Sequence, residues 1–126
     1  MPIDELIAAL KNGSGMARAR AATELGQQGN IRSAAALQEA LNDKNPTVRS
    51  NAAFSLGELG DTSATAKLIS LLSDDDQWVR KSSAKALGML RAKDAEPALE
   101  KALDDVSEQV KRNAHRSLEL IRGNSS

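Results

Sequence analysis

The chain of 126 residues contains no cysteine, so disulfides, thiol nucleophiles and thiolate metal ligands are all excluded. That composition fits a reducing, cytoplasmic compartment. A single histidine, His115, has no second histidine or cysteine to share a metal with, so no metal or other cofactor is expected. Tyrosine is absent, and Phe54 and Trp78 are the only aromatic residues. A single globular core of this length would use more aromatic volume. No long apolar run is present, and the opening MPIDELIAAL carries acids, so it reads as neither a signal peptide nor a membrane span. An excess of charge is missing too, since seventeen basic and seventeen acidic residues cancel. Nucleic-acid binding draws on phosphate neutralisation, and a net charge of zero disfavours it.

Alanine and leucine supply most of the apolar content, which suits closely packed helices. They recur with a fixed period. Val48-Arg49 and Val79-Arg80 lie 31 residues apart, and the same step reaches Val110-Lys111 and Ala17-Arg18. That offset aligns Leu6, Leu37, Leu68 and Leu99. A second column holds Leu10, Leu41, Leu72 and Leu103, and a third Leu25, Leu56, Leu87 and Leu118. The pattern predicts an all-α solenoid of four two-helix units, about eight helices, at roughly 1–30, 31–61, 62–92 and 93–122. Residues 123–126 read as a disordered tail.

In the third unit, helical spacing of Leu68, Leu71 and Leu72 predicts a first helix over about Thr62–Ser73. A second helix is expected over about Gln77–Leu90, with Val79, Ser83, Leu87 and Leu90 as its inner stripe. Ser14, Asn45, Asp76 and Ser107 precede the four second helices and read as N-caps. Pro46 stands at a first helical position, where its missing N–H costs nothing. Gly26, Gly57 and Gly88 recur inside helices, where glycine is unfavourable, so close helix approach is expected there. In the last unit His115 and Glu119 replace the small residues of their columns and read as end-capping substitutions.

The run LISLLSDDDQWVRKSSAKALGML in unit three, and NPTVRSNAAFSLGELGD in unit two, resemble HEAT repeats. The resemblance is to the short HEAT-like repeats named after phycobilisome lyases. It implies a right-handed superhelix whose second helices line the concave face. It also implies an Asp–Arg ladder, here Asp43, Asp74 and Asp105 with Arg18, Arg49, Arg80 and Lys111. Asn12 replaces the acid in unit one, which leaves the ladder incomplete there. Each basic residue follows an acidic or amide residue by six positions, and this pairing favours a structural ladder over a phosphate track.

Positions that vary between units carry specificity in a solenoid. On the second helices these include the columns of Trp78, Lys85 and Met89, which elsewhere hold Thr, Gln, Glu and Arg. The expected contact patch is Phe54, Trp78, Met89 and Leu120, edged by Lys81, Lys85, Arg112 and Arg116, with Glu58 beside it. The face is net positive, so an acidic or amphipathic protein segment is the expected partner, with no membrane contact. The chain reads as a non-enzymatic interaction module or adaptor, monomeric or weakly self-associating. Two other readings follow from the resemblance. One is a phycobilin-lyase-like or chaperone accessory subunit, and the other a nucleic-acid-binding domain like the HEAT-like alkylpurine glycosylases. The iron-binding deoxyhypusine hydroxylase branch needs repeated His-Glu pairs, and here the one histidine is followed by Arg116.

Overall fold

The computed structural model describes residues 1–123 and, among them, eight α-helices and no strand. They are α1 (Ile3–Asn12), α2 (Gly15–Gln28), α3 (Ala34–Ala40), α4 (Pro46–Leu59), α5 (Thr65–Leu71), α6 (Gln77–Met89), α7 (Glu96–Ala102) and α8 (Glu108–Arg122). None is long and apolar enough to cross a membrane.

Capping sets where the even-numbered helices start. The side chains of Ser14, Asn45, Asp76 and Ser107 accept hydrogen bonds from first-turn amides, those of Ala17, Thr47, Trp78 with Val79, and Val110. Left-handed glycines end three of them, Gly29, Gly60 and Gly123. Gly123, expected in the tail, thus closes α8, while residues 124–126 lie outside the described residues. At the equivalent turn after α6, Arg91 takes the left-handed conformation with φ 51°. Its guanidinium donates to the Leu120 carbonyl at the end of α8, which supplies a compensating contact.

The first helix of unit three is shorter than its apolar spacing predicts. A 3-10 turn at Thr62–Ala64 precedes α5, and equivalent turns at Ile31–Ser33 and Lys93–Ala95 precede α3 and α7. Asp61 caps the turn in unit three, accepting from the Ser63 amide, and Asn30 caps the one before α3.

The three leucine columns form a continuous core. Leu25, Leu56 and Leu87 are fully buried, as are Leu37, Leu68 and Leu99. The predicted inner stripe of Val79, Ser83, Leu87 and Leu90 is buried throughout. Packing between units is uneven. The long helices α2, α4, α6 and α8 lie in broad contact with one another, while the shorter odd-numbered helices meet their equivalents sparsely. Open clefts separate the odd-numbered layer, one of about 510 Å³ between α5 and α7 and another of about 270 Å³ between α1 and α3. A stack tight on one side and splayed on the other curves toward the tight side, so the even-numbered helices form the inner, concave layer.

The recurrent glycines make that tightness possible. A Cβ on Gly57 would stand 3.0 Å from the Ala86 Cα, and one on Gly88 would stand 2.9 Å from the Ser117 Cα. Backbone-to-backbone approach of this kind leaves no room for a side chain. Ser117 at the Gly88 crossing donates to the Ala84 carbonyl of α6, and Ser55, against Gly26, donates likewise to the Ala22 carbonyl of α2.

Candidate functional site

The basic column of the second helices is bound up in the scaffold. Arg18 holds Asp43 with two hydrogen bonds of 2.8 and 3.0 Å. Arg49 holds Asp74 at 3.1 and 3.1 Å, and Arg80 holds Asp105 at 2.8 and 3.1 Å. All six side chains are largely shielded from solvent. The ladder therefore exists, but its rungs differ from the sequence expectation. Each arginine reaches the carboxylate of the following unit, 25 residues on. Its own unit's acid, six residues earlier, supplies only a backbone carbonyl, from Asp43 to Arg49 and from Asp74 to Arg80. Among the described residues no arginine reaches Asn12, and Lys111 pairs locally with Glu108 at 3.2 Å.

Each carboxylate also accepts the amide two residues on, that of Asn45, Asp76 or Ser107. The bonds from Arg18 hold the Asp43 carboxyl below its usual range, against partial burial and with help from the Asn45 amide. Burial pushes Asp105 up, but the bonds from Arg80 and the Ser107 amide outweigh it and leave it lowered. Asp61 shows the same balance, burial being outweighed by bonds from Ser63 and Gln38. Arg18 and Arg80 are raised in turn by their aspartates. These charges are spent on stacking.

What remains on the concave layer is a face of unlike residues. Trp78 is 49% exposed and Met89 37% exposed, high for residues with so much apolar surface to bury. Phe54 and Leu120 are half-buried. Lys85, Arg112, Arg116 and Glu58 are exposed, and Lys81 is half-buried. The two rings do not form one cluster. Phe54 sits seven residues further along its helix than the Trp78 column, about 10 Å along the axis, and one helix away. Each ring carries its own lysine instead. The Lys81 ammonium lies 5.4 Å from the Trp78 ring centre, and the Lys85 ammonium 5.3 Å from that of Phe54. Arg20, Lys81, Lys85, Arg112 and Arg116 on this face are opposed by Glu58 and Glu108, with Glu24 beside Arg20.

His115 is exposed and lies 3.8 Å from Glu119. Ala22, Ala53 and Ala84 in its column are fully buried against the next helix. Among the described residues no group of three or more His, Asp or Glu is placed to hold a metal ion. Sequence reasoning missed Val106, which is 93% exposed. It lines a shallow groove with Trp78, Asp75 and Asp76. Its signal was an apolar residue in a loop column otherwise filled by Gly13, Lys44 and Asp75.

Stacked helix pairs, a tight inner layer and an inter-unit ion-pair ladder together define an α-solenoid repeat protein. The family model for HEAT repeats matches residues 3–84 and 36–119. The chain belongs to the HEAT-repeat family. No curated protein matches it by sequence. Among solved structures, it is similar to human deoxyhypusine hydroxylase in complex with glycerol, with TM-score 0.79 and 26% identity over 97% of this chain. It is similar to the complex of CpcE and CpcF of phycocyanin lyase from Nostoc sp. PCC7120, with TM-score 0.80 and 24% identity over 98% of this chain. An engineered protein is also similar, with TM-score 0.77 and 21% identity over 98% of this chain. The chain spans 44%, 66% and 63% of these proteins' own lengths, so the last two likenesses, below 25% identity, speak to fold alone.

Proposed function

We propose that this chain is a non-catalytic, cytoplasmic adaptor that grips a segment of another protein on its concave face. The observation that carries the reading is the half-exposed Trp78 on a rigid helix, in a face whose cations are not used by the ladder. Ordered aromatic and arginine side chains dominate interface energetics, and methionine adds adaptable apolar area. The contact residues are Phe54, Glu58, Trp78, Lys81, Lys85, Met89, Arg112, Arg116 and Leu120. An acidic or amphipathic segment complements their charge.

A lyase-like accessory role is the second reading, offered by analogy with the CpcE–CpcF complex, whose likeness to this chain is one of fold. That complex joins two protein chains, so both readings share a protein partner.

The test is parallel affinity capture from cell extract with the wild-type chain and with a Phe54→Ala/Trp78→Ala variant of unchanged helicity. The adaptor reading expects a protein retained by the wild type and lost from the variant. Equal recovery of all proteins by both chains would refute the reading.

A further inference from the structure

We infer that the groove between α6 and α8 takes an acidic amphipathic helix lying along the two helices, rather than an extended strand laid across them. This rests on the adaptor reading and specifies its partner. On α6, Trp78, Lys81, Lys85 and Met89 follow one another at steps of three, four and four residues. Such steps keep them on one stripe. On α8, Gln109, Arg112, Arg116 and Leu120 occupy the same register, because they stand 31 residues further on. The two helices pack side by side. Each level of the groove is therefore lined by a matching pair. The two middle levels pair lysine with arginine, and the last pairs Met89 with Leu120. The first level is Trp78 with a glutamine.

The four cations thus occupy two successive levels about one helical turn apart, with Trp78 and Gln109 before them and Met89 and Leu120 after them. None of the four makes an ion pair among the described residues. Lys81 rests on the Trp78 ring of its own helix and Lys85 on the Phe54 ring of α4, so Lys85 stands on the α4 side of the stripe, and neither meets a carboxylate. From the Trp78 level to the Met89 level the groove is about 16 Å long, or three helical turns. A helix seated there presents residues at steps of three or four. The complementary stripe is apolar, acidic, acidic, apolar, one side chain per level. An extended strand returns to one face every second residue, about 6.6 Å, against level spacings of about 4.5, 6 and 6 Å, so it drifts about 3 Å out of step over the groove, whereas a helix stays in step.

The probe is a fluorescein-labelled peptide of about 18 residues, long enough for helix formation. Its glutamine- and alanine-rich background carries Leu-x-x-Glu-x-x-x-Glu-x-x-x-Leu. Three comparison probes are a scrambled peptide of the same composition, poly-glutamate of equal charge, and an oligo-dT. Anisotropy titrations on the full chain are expected to show the patterned peptide binding about tenfold or more tighter than the scrambled one. The Lys85→Glu/Arg116→Glu variant, with helicity checked by circular dichroism, is expected to lose that preference. Equal binding of patterned, scrambled and poly-glutamate probes overturns the helical register while leaving an acid-binding face in place. Tightest binding of oligo-dT overturns it in favour of nucleic acid. Binding of none overturns it as well, and the capture experiment then decides separately whether the face has any protein partner.

Discussion

Ser83 illustrates how a single hydroxyl can stand against the pattern around it. Its column otherwise holds Ala21, Ala52 and Ala114, and its oxygen is buried with no hydrogen-bond partner. An unmet buried donor costs free energy, and alanine is the better helix former. Ser83→Ala is expected to stabilise the chain by about 1 kcal/mol, read from the urea midpoint. The ladder residues act in the opposite sense. Arg49→Ala removes two bonds to Asp74 and one to the Asp43 carbonyl. Its site is shielded but not sealed, so the expected cost is about 2 kcal/mol, between exposed and buried ion pairs. Lowered folded-state carboxyls at Asp43, Asp61 and Asp105 also fix a pH dependence. Between the folded values and the ordinary carboxylate value, the unfolded chain binds more protons, so stability rises with pH there. The contribution is complete above the ordinary value and is lost as pH falls through the folded ones. Denaturation midpoints between about pH 2 and 6 should slope accordingly, and Asp105→Asn should flatten that slope.

Helix by helix, the arrangement was largely legible because the 31-residue step repeats both the leucines and the caps. Ser14, Asn45, Asp76 and Ser107 announce helix starts through chemistry that is local in sequence. The ladder was legible as a set of residues but not as a set of partners. A period places one arginine and one acid in every unit, and nothing in it says that Arg49 reaches forward to Asp74 rather than back to Asp43. The 3-10 turn before α5 was hidden for a similar reason, since apolar spacing over so few residues fits both helix types. Asp61 carried its signal in the Leu-Gly-Asp run, as the cap that follows a helix-ending glycine. Gly88 tests the packing at this scale. Gly88→Ala improves helix propensity yet places a methyl against the Ser117 backbone. Overpacking prevails, and a loss of about 1–3 kcal/mol is expected from thermal or denaturant unfolding. A gain in stability would mean that α6 and α8 do not approach so closely.

Across the whole molecule, charge neutrality conceals a division of labour. Arg18, Arg49 and Arg80 are matched by aspartates inside the stack, whereas Lys81, Lys85, Arg112 and Arg116 stand on the inner face. Counting residues could not separate these groups, but aligning the columns did. The candidate face was visible as positions that differ from unit to unit. Its subdivision was not, because Phe54 and Trp78 fall on different levels of neighbouring helices and each meets its own lysine.

The emission spectrum of Trp78, the only tryptophan in the chain, tests the binding face most directly. With the ring half exposed, emission from the free chain should be red-shifted and open to quenching by acrylamide. Addition of the captured partner should move it to the blue and protect it. Blue, quencher-resistant emission from the free chain, or a spectrum unmoved by saturating partner, would contradict the account.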